Sequence, residues 1–320
     1  MQWSDRIGRR LKPRDLHVFV AVAEKGNMAK AAEQLAISRP VVSKTIADLE
    51  QTLGVHLLDR TPKGVEPTPY GRALLKRSLA VFDELRQSVK EIEFLADPSG
   101  GELRIGFSEL PAGGLIPAAI DRLSRKYPRM TVRTEQGDAR DVLNHLHHRK
   151  CEIAILRPPS PEHAADLTIH PLFYEQMFVV AGSRSKWARQ RRVSLGDLAE
   201  EPWIQSVGET EPGSPTREAF RAAGVEGPRL VVLSNSLNLR YGLLATGRFL
   251  TMFPDSLLRY GPQRTPIRVL PIKLPRWHVP TSVVTLKDRT LSPIAQLFID
   301  CLRELARPLE KAEGIVRGAR

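Results

Sequence analysis

Apolar positions recur every three or four residues over the first third of the chain and gather into short continuous runs afterwards. The pattern therefore predicts helices first, then alternating strands and helices. The best-marked stretch is Ser38 to Gln51. Val42, Ile46 and Leu49, continued by Leu53, share one stripe, while Pro40, Lys44, Ala47 and Gln51 fall opposite, with Ser43 on the flank and Arg39 at the open end. Ser38 is placed to cap the first amides, Pro40 suits a first turn, and Gly54 lies where a left-handed residue stops a helix. Asn27 caps a shorter helix, Met28 to Leu35, in which Ala31, Ala32 and Leu35 permit close contact; only Ala36 and Ile37 separate the two helices. Periodicity alone describes an amphipathic surface helix. The tight join makes the pair a helix-turn-helix, whose second helix enters the DNA major groove.

The flanks extend this unit. Met1 to Arg14 carries Arg6, Arg9, Arg10, Lys12 and Arg14 against Asp5, an arm that either touches phosphates or is simply solvated. Asp15 is placed to cap a first helix, in which Leu16, Phe19, Val20 and Ala23 share a face, and Gly26 ends it. Val55 to Arg60 reads as a strand, Thr61 to Gly64 as a tight turn and Val65 as the return, which together form a wing. Arg60 and Lys63 at its edge are phosphate contacts or a solvated loop tip. Thr68 and Pro69 open a helix that runs to Ala96, roughly 40 Å at 1.5 Å per residue. Leu75, Phe82 and Val89 repeat every seven residues, with Leu85 and Ile92 three behind the last two, a seam that argues for pairing with a second copy. Ser78 interrupts the seam and leaves packing on the helix's own domain open.

Asp97 to Gly101 reads as a hinge. Beyond it strands are predicted at Leu103–Phe107, Met130–Thr134, Ile153–Leu156, Met177–Ala181, Trp203–Gln205, Leu230–Leu233, Phe249–Phe253, Ile267–Leu270 and Val283–Leu286. Helices are predicted around Leu115–Lys126, Asp138–His148, Thr216–Ala223, Leu237–Thr246 and Pro293–Arg307. This alternation implies a parallel α/β sheet. Ligands gather at the carboxyl ends of such strands, near helix N-termini. Ser108, Gly137–Asp138, Ser234–Ser236 and Gly213–Ser214 occupy such places, each either a ligand contact or a plain helix cap.

Composition changes the picture little. Hydrophobic content of 42% and charged content of 26% are those of an ordinary globular chain. The net charge of +12 favours a polyanionic partner. Residues 1–96 nevertheless hold 16 Lys+Arg against 12 Asp+Glu, a net of +4, and the remainder carries +8, so the excess is not focused on the helix-turn-helix. Two cysteines, Cys151 and Cys301, make no disulfide framework; with no apolar signal region and no membrane span, a soluble cytoplasmic protein is expected. His145, His147, His148 and Cys151 invite comparison with a zinc site, but His147 falls off the shared face and a four-ligand pattern is missing, so a polar helix end is preferred and no metal is expected. Nucleophile-elbow and phosphate-loop patterns are absent, and neither an enzymatic activity nor a cofactor is expected.

Phe19 to Arg60 resembles the DNA-binding domain of LysR-type transcriptional regulators, through Ala31–Ala32, the run S-R-P-V-V-S from Ser38 to Ser43, Leu49–Glu50, Leu53–Gly54 and Arg60. It departs from the family at Arg39, usually Gln, at Asn27, usually Ser, and at Leu58, usually Phe. The resemblance continues in order and length over almost the whole chain. It implies a winged helix-turn-helix over 1–66, a dimerising linker helix over 67–96 and an effector-binding domain over 97–320 that is similar to periplasmic solute-binding proteins. Within the last, it implies one subdomain at about 97–175 with 268–310 and another at about 176–267. With the helix face and the wing edge read above, the candidate DNA-facing residues are Asn27, Ala29, Ser38, Arg39, Pro40, Ser43, Lys44, Ala47, Gln51, Arg60 and Lys63. Leu75, Phe82, Leu85, Val89 and Ile92 would form the dimer seam. Ser108, Glu109, Gly137, Asp138, Ser214 and Ser236 would meet a small polar effector, with an organic acid favoured although Glu109 and Asp138 repel an anion unless they point away. The expected partners are double-stranded DNA, a second copy in a homodimer, a homotetramer built from it, and that effector, with no membrane. The rival reading is a cytoplasmic solute-binding or metal-sensing protein without a promoter-specific role.

Overall fold

The computed structural model describes residues 11–61, 64–108, 113–159, 161–261, 266–275 and 280–310. It divides into two compact units, Met1–Val89 and Lys90–Arg320.

In the first unit, α1 (Pro13–Lys25), α2 (Met28–Gln34) and α3 (Arg39–Leu53) precede a hairpin of β1 (Leu58–Thr61) and β2 (Gly64–Pro67), and α4 (Pro69–Ala96) begins here and continues into the second unit. The apolar stripe read from the sequence is the core: Val42, Ile46 and Leu49 pack with Val18, Phe19, Val22, Ala31, Ala32, Leu57 and Val65. Gly26 and Gly54 end their helices in the left-handed conformation at φ 58° and 70°, as their positions predict. Two expected caps are corrected. α1 starts earlier, with Lys12 as its cap residue and Pro13 in the first turn, so Asp15 lies inside the helix. Ser38 is the cap residue of α3 by backbone, but its hydroxyl bonds none of the free amides. β1 also begins at Leu58 rather than Val55, because Glu50 Oε1 takes the amides of Leu57 (2.7 Å) and Leu58 (3.2 Å) at the point where the chain turns into the wing.

The second unit holds two five-stranded sheets. The first is built of β3 (Gly100–Phe107), β4 (Arg129–Gln136), β5 (Ile153–Leu156), β6 (Leu167–Tyr174) and β12 (Pro280–Leu286), in the order β4-β3-β5-β12-β6. Around it stand α5 (Leu115–Lys126), α6 (Ala139–His147) and α11 (Pro293–Glu310). The second is built of β7 (Met177–Gly182), β8 (Trp203–Gln205), β9 (Leu230–Leu233), β10 (Leu250–Pro254) and β11 (Ile267–Val269), in the order β11-β7-β10-β8-β9. With it go α7 (Val207–Thr210), α8 (Pro215–Ala222), α9 (Leu237–Ala245) and α10 (Asp255–Tyr260).

The expectation of a parallel sheet is corrected. β3 runs parallel to β4 and β5, but β12 is antiparallel to both β5 and β6, and β10 is antiparallel to β7. The antiparallel strands are those at which the chain passes from one sheet to the other. β6, unread in the sequence, has a pattern broken by His170 and Pro171. The return passage comes later than residue 268. β11 pairs with β7, and Leu270 lies in the core of the second sheet with Ile272 and Leu274 packed on it, so the crossing falls after Leu274.

Candidate nucleic-acid interface and effector site

Asn27 fixes the start of α2: its Oδ1 accepts from the amides of Ala29 (2.8 Å) and Lys30 (3.2 Å). Ala36 makes the turn. It takes a left-handed φ of 52°, and the amides of Ala36 and Ile37 bond back to the carbonyls of Glu33 and Ala32. No glycine marks this site, so its strained backbone was not legible in the sequence.

α3 then presents Arg39, Pro40, Lys44, Ala47 and Gln51 to solvent on one side, with Ser43 half-buried at the flank; Ala29 and Ser38 are exposed and Asn27 half-buried. Val41, which the sequence reading passed over, is 40% exposed beside Pro40. Among the described residues Arg39 and Lys44 make no hydrogen bond or ion pair, so their donors face water. Glu50, on the opposite side, is the anchor: besides the two amides it holds, its Oε2 lies 3.6 Å from His56 Nδ1. The wing pairs Leu58 with Pro67 and Thr61 with Gly64, and it is tied to α1 by the Val65 amide on the Gly26 carbonyl (2.8 Å). A Cβ on Gly64 would lie 2.1 Å from that carbonyl oxygen, so glycine is required. Lys63 and the side chain of Arg60 lie outside the described residues.

Thr68 opens α4 as expected, its Oγ1 accepting from the Gly71 amide at 3.0 Å. Leu74 and Leu75 pack against the core of the helix-turn-helix, and the Phe82 ring meets that of His17 at 5.6 Å. Leu85, Val89 and Ile92 are exposed, and Val81 and Leu95, missed in the sequence, extend the same stripe.

In the second unit Ser108, Gly137–Asp138 and Ser236 follow strands, whereas Ser214 lies between the helices α7 and α8. Ser108 follows β3 and its amide bonds the Ile155 carbonyl (3.2 Å); Gly137 follows β4 and its amide bonds the Phe107 carbonyl (3.4 Å). Asp138 caps α6 through the Asp141 amide at 2.9 Å, Ser236 caps α9, and Ser214 is buried, capping α8 while donating to the Glu209 carbonyl at 2.6 Å. Glu109 lies outside the described residues.

Three charged residues of the second unit, Arg157, Glu209 and Arg240, were missed. Arg157 directly follows the apolar run of β5, and its Nη2 lies 3.8 Å from Met177 Sδ at the start of β7. Burial lowers its pKa, while the charges of Glu175 and Glu209 raise it. Glu209 is the fourth residue of a capping box that begins at Ser206, and it forms an ion pair with Arg240, both side chains being almost fully buried. Two signals carried this: a charged residue at the carboxyl end of a wholly apolar strand, and S-x-x-E after β8.

His145 lies 3.8 Å from Glu135, His147 3.3 Å from Asp166, and His148 Nδ1 meets its own helix at the Asn144 carbonyl. Each has its own partner. Among the described residues no three His, Cys, Asp or Glu side chains are grouped to hold a metal ion, and no helix is long and apolar enough to cross a membrane.

Comparison with known proteins agrees with this layout. Residues 13–72 match the family described as "Bacterial regulatory helix-turn-helix protein, lysR family", and residues 96–307 match the "LysR substrate binding domain". The chain is 29% identical over 297 residues to the HTH-type transcriptional regulator GbpR of Azospirillum brasilense, covering 92% of this chain and 86% of that protein. It is 25% identical over 298 residues to the transcriptional dual regulator GltC of Bacillus subtilis, covering 93% and 98%. Among solved structures, CbnR, a LysR family transcriptional regulator, superposes with a TM-score of 0.60 at 25% identity over 92% of this chain and 99% of that one. Full-length OxyR from Pseudomonas aeruginosa shares the fold, with a TM-score of 0.64 at 21% identity over 93% and 95%. The chain belongs to the LysR family of transcriptional regulators, with a helix-turn-helix domain for DNA and a substrate-binding domain for an effector.

Proposed function

We propose that this regulator reads promoter DNA with the outer side of α3, formed by Arg39, Pro40, Ser43, Lys44, Ala47 and Gln51 and entered through Asn27, Ala29 and Ser38. Arg60 and Lys63 of the wing hold the backbone. The observation that carries the reading is that Arg39 and Lys44 project from the first turns of an exposed helix face and are not used by the described fold. Small Ala47 and Ser43 between them permit close approach to base edges. Arg39 is suited to a bidentate contact with guanine, Lys44 to a phosphate.

The exposed stripe of α4, Val81, Leu85, Val89, Ile92 and Leu95, pairs two copies into a cytoplasmic dimer, on which a tetramer can be built. Leu75 and Phe82 of the expected seam are engaged within their own domain. A small polar effector, an organic acid by preference, is bound by the second unit, with Ser108, Glu109 and Gly137–Asp138 of one subdomain and Ser214 and Ser236 of the other as the contacts. It acts only through a difference in affinity for two arrangements of the assembly.

The test is a gel shift with the full chain and DNA from upstream of its own gene, at several salt concentrations. Binding that is retained by wild type and lost in the Arg39→Ala, Lys44→Ala double variant supports the reading. Equal retardation of the two proteins removes α3 from the interface.

A further inference from the structure

The point at which the chain first crosses between the two sheets carries a buried acid that no DNA or effector contact uses. Glu175 and Gln176 are the whole connection between β6 and β7. The Glu175 side chain is buried, and its Oε1 accepts from two hydroxyls on separate elements: Ser256 in the first turn of α10 (2.7 Å) and Thr281 on the returning strand β12 (3.3 Å). Its Oε2 has no hydrogen-bond partner among the described residues. One carboxyl thus ties the outgoing strand, the returning strand and a helix of the second sheet. The backbone reinforces the same junction through the Asp255 amide on the Gln176 carbonyl at 2.9 Å.

Charged groups stand at the end of β5 and in α10, two elements that reach this junction. From the end of β5 comes Arg157, which is drawn by Glu175 and by Glu209 alike. From α10 comes Asp255, whose carboxyl is raised by its own burial and lowered by Arg259; β12 offers only the Thr281 hydroxyl. When Glu175 is charged it holds Arg157 toward the crossing. When it is neutral, that pull is gone, while the pull of Glu209 on Arg157 remains.

We infer that Glu175 is a proton-operated latch at the inter-sheet hinge, its ionised form holding the two subdomains in one relative arrangement and its neutral form releasing them to another. Burial raises this carboxyl to about 7, against the lowering pull of the Ser256 hydrogen bond and the Arg157 charge, so the exchange falls within a range a cell can reach. A regulator with this latch would respond to pH through the same subdomain motion by which it responds to an effector.

The experiment needs neither effector nor operator, so it stands apart from the DNA reading. Spin labels are placed on the full-length protein at two exposed positions, Lys150→Cys in one subdomain and Arg221→Cys in the other, and labelled chain is diluted with unlabelled. The native Cys151 and Cys301 are buried and stay unlabelled. Pulsed-dipolar distances are recorded from about pH 6 to about pH 8. The inter-subdomain distance of wild type should change with a midpoint near 7. Glu175→Gln should hold the low-pH distance throughout. Ser256→Ala, which removes a donor to the ionised form, should move the midpoint upward, and it serves if the glutamine variant does not fold. A wild-type distance that ignores pH, a glutamine variant that still responds, or an unshifted midpoint in Ser256→Ala overturns the latch.

Discussion

A single cation on α3 makes a quantitative claim. If Lys44 neutralises one phosphate, Lys44→Ala removes one released counterion, so the slope of log K against log salt should flatten by about one unit, with little change in preference among sequences. Arg39→Ala should instead cut discrimination at one base position by about 1–3 kcal/mol. Filter binding of both variants to matched and mutated operators over a salt series separates the two roles; identical behaviour would refute the assignment. Glu175 makes a claim about stability. Its folded carboxyl keeps a proton up to about 7, whereas a free glutamate loses it near 4.5. The folded state therefore binds more protons in that window, and this group's contribution to stability is complete below 4.5 and lost as pH rises toward 7. The loss amounts to about 3 kcal/mol. Denaturant midpoints of wild type and Glu175→Gln should be close at pH 5 and diverge by pH 8, with the glutamine variant the more stable.

At the scale of elements, the helix-turn-helix was legible because its signals are local: a cap at Asn27, a proline in the first turn of α3, glycines at the ends of α1 and α3, and one unbroken apolar stripe. What escaped the reading was settled by tertiary contact. The Glu50 carboxylate, drawn inward to the Leu57 and Leu58 amides, is spelled no differently from a solvated glutamate, and it shortens β1. Glu50→Ala should leave both amides without this acceptor at a half-buried site, costing about 1–3 kcal/mol in the N-terminal unit's unfolding transition. The linker helix behaves oppositely. Ile92 is 66% exposed in the isolated chain, so Ile92→Glu should alter monomer stability by no more than about 0.5 kcal/mol. The same change should shift sedimentation toward a smaller species if the stripe pairs two copies; an unchanged sedimentation profile would remove it from the interface. Likewise the strands of the second unit were read from apolar runs, but their directions were not, because a run such as Val283–Leu286 has the same pattern whether its neighbour is parallel or antiparallel. Arg157 and Glu209 did carry signals, one as the charge that ends an apolar strand and the other as the last letter of S-x-x-E, but the buried pairing of Glu209 with Arg240 is spelled by neither letter.

At the scale of the whole molecule, the prediction concerns the geometry of DNA rather than any residue. Each chain offers one α3, and a helix in the major groove contacts only a few base pairs, too few to select one promoter. Two copies related by a twofold axis would present two such helices to the same side of the duplex, so the half-sites must be separated by about one helical turn, 10–10.5 base pairs, or a multiple of it. Their sequences must also be inverted relative to one another. Footprinting upstream of the protein's own gene should locate such a pair. Inserting about five base pairs between the half-sites turns one of them to the far side of the helix, and high-affinity binding should fall toward the non-specific level; inserting about ten should restore part of it. Undiminished binding to the half-turn insertion would mean that the two recognition helices do not act as a rigid pair. The pairing assigned to α4 would then have to be abandoned, while the assignment of α3 as the reading helix would stand.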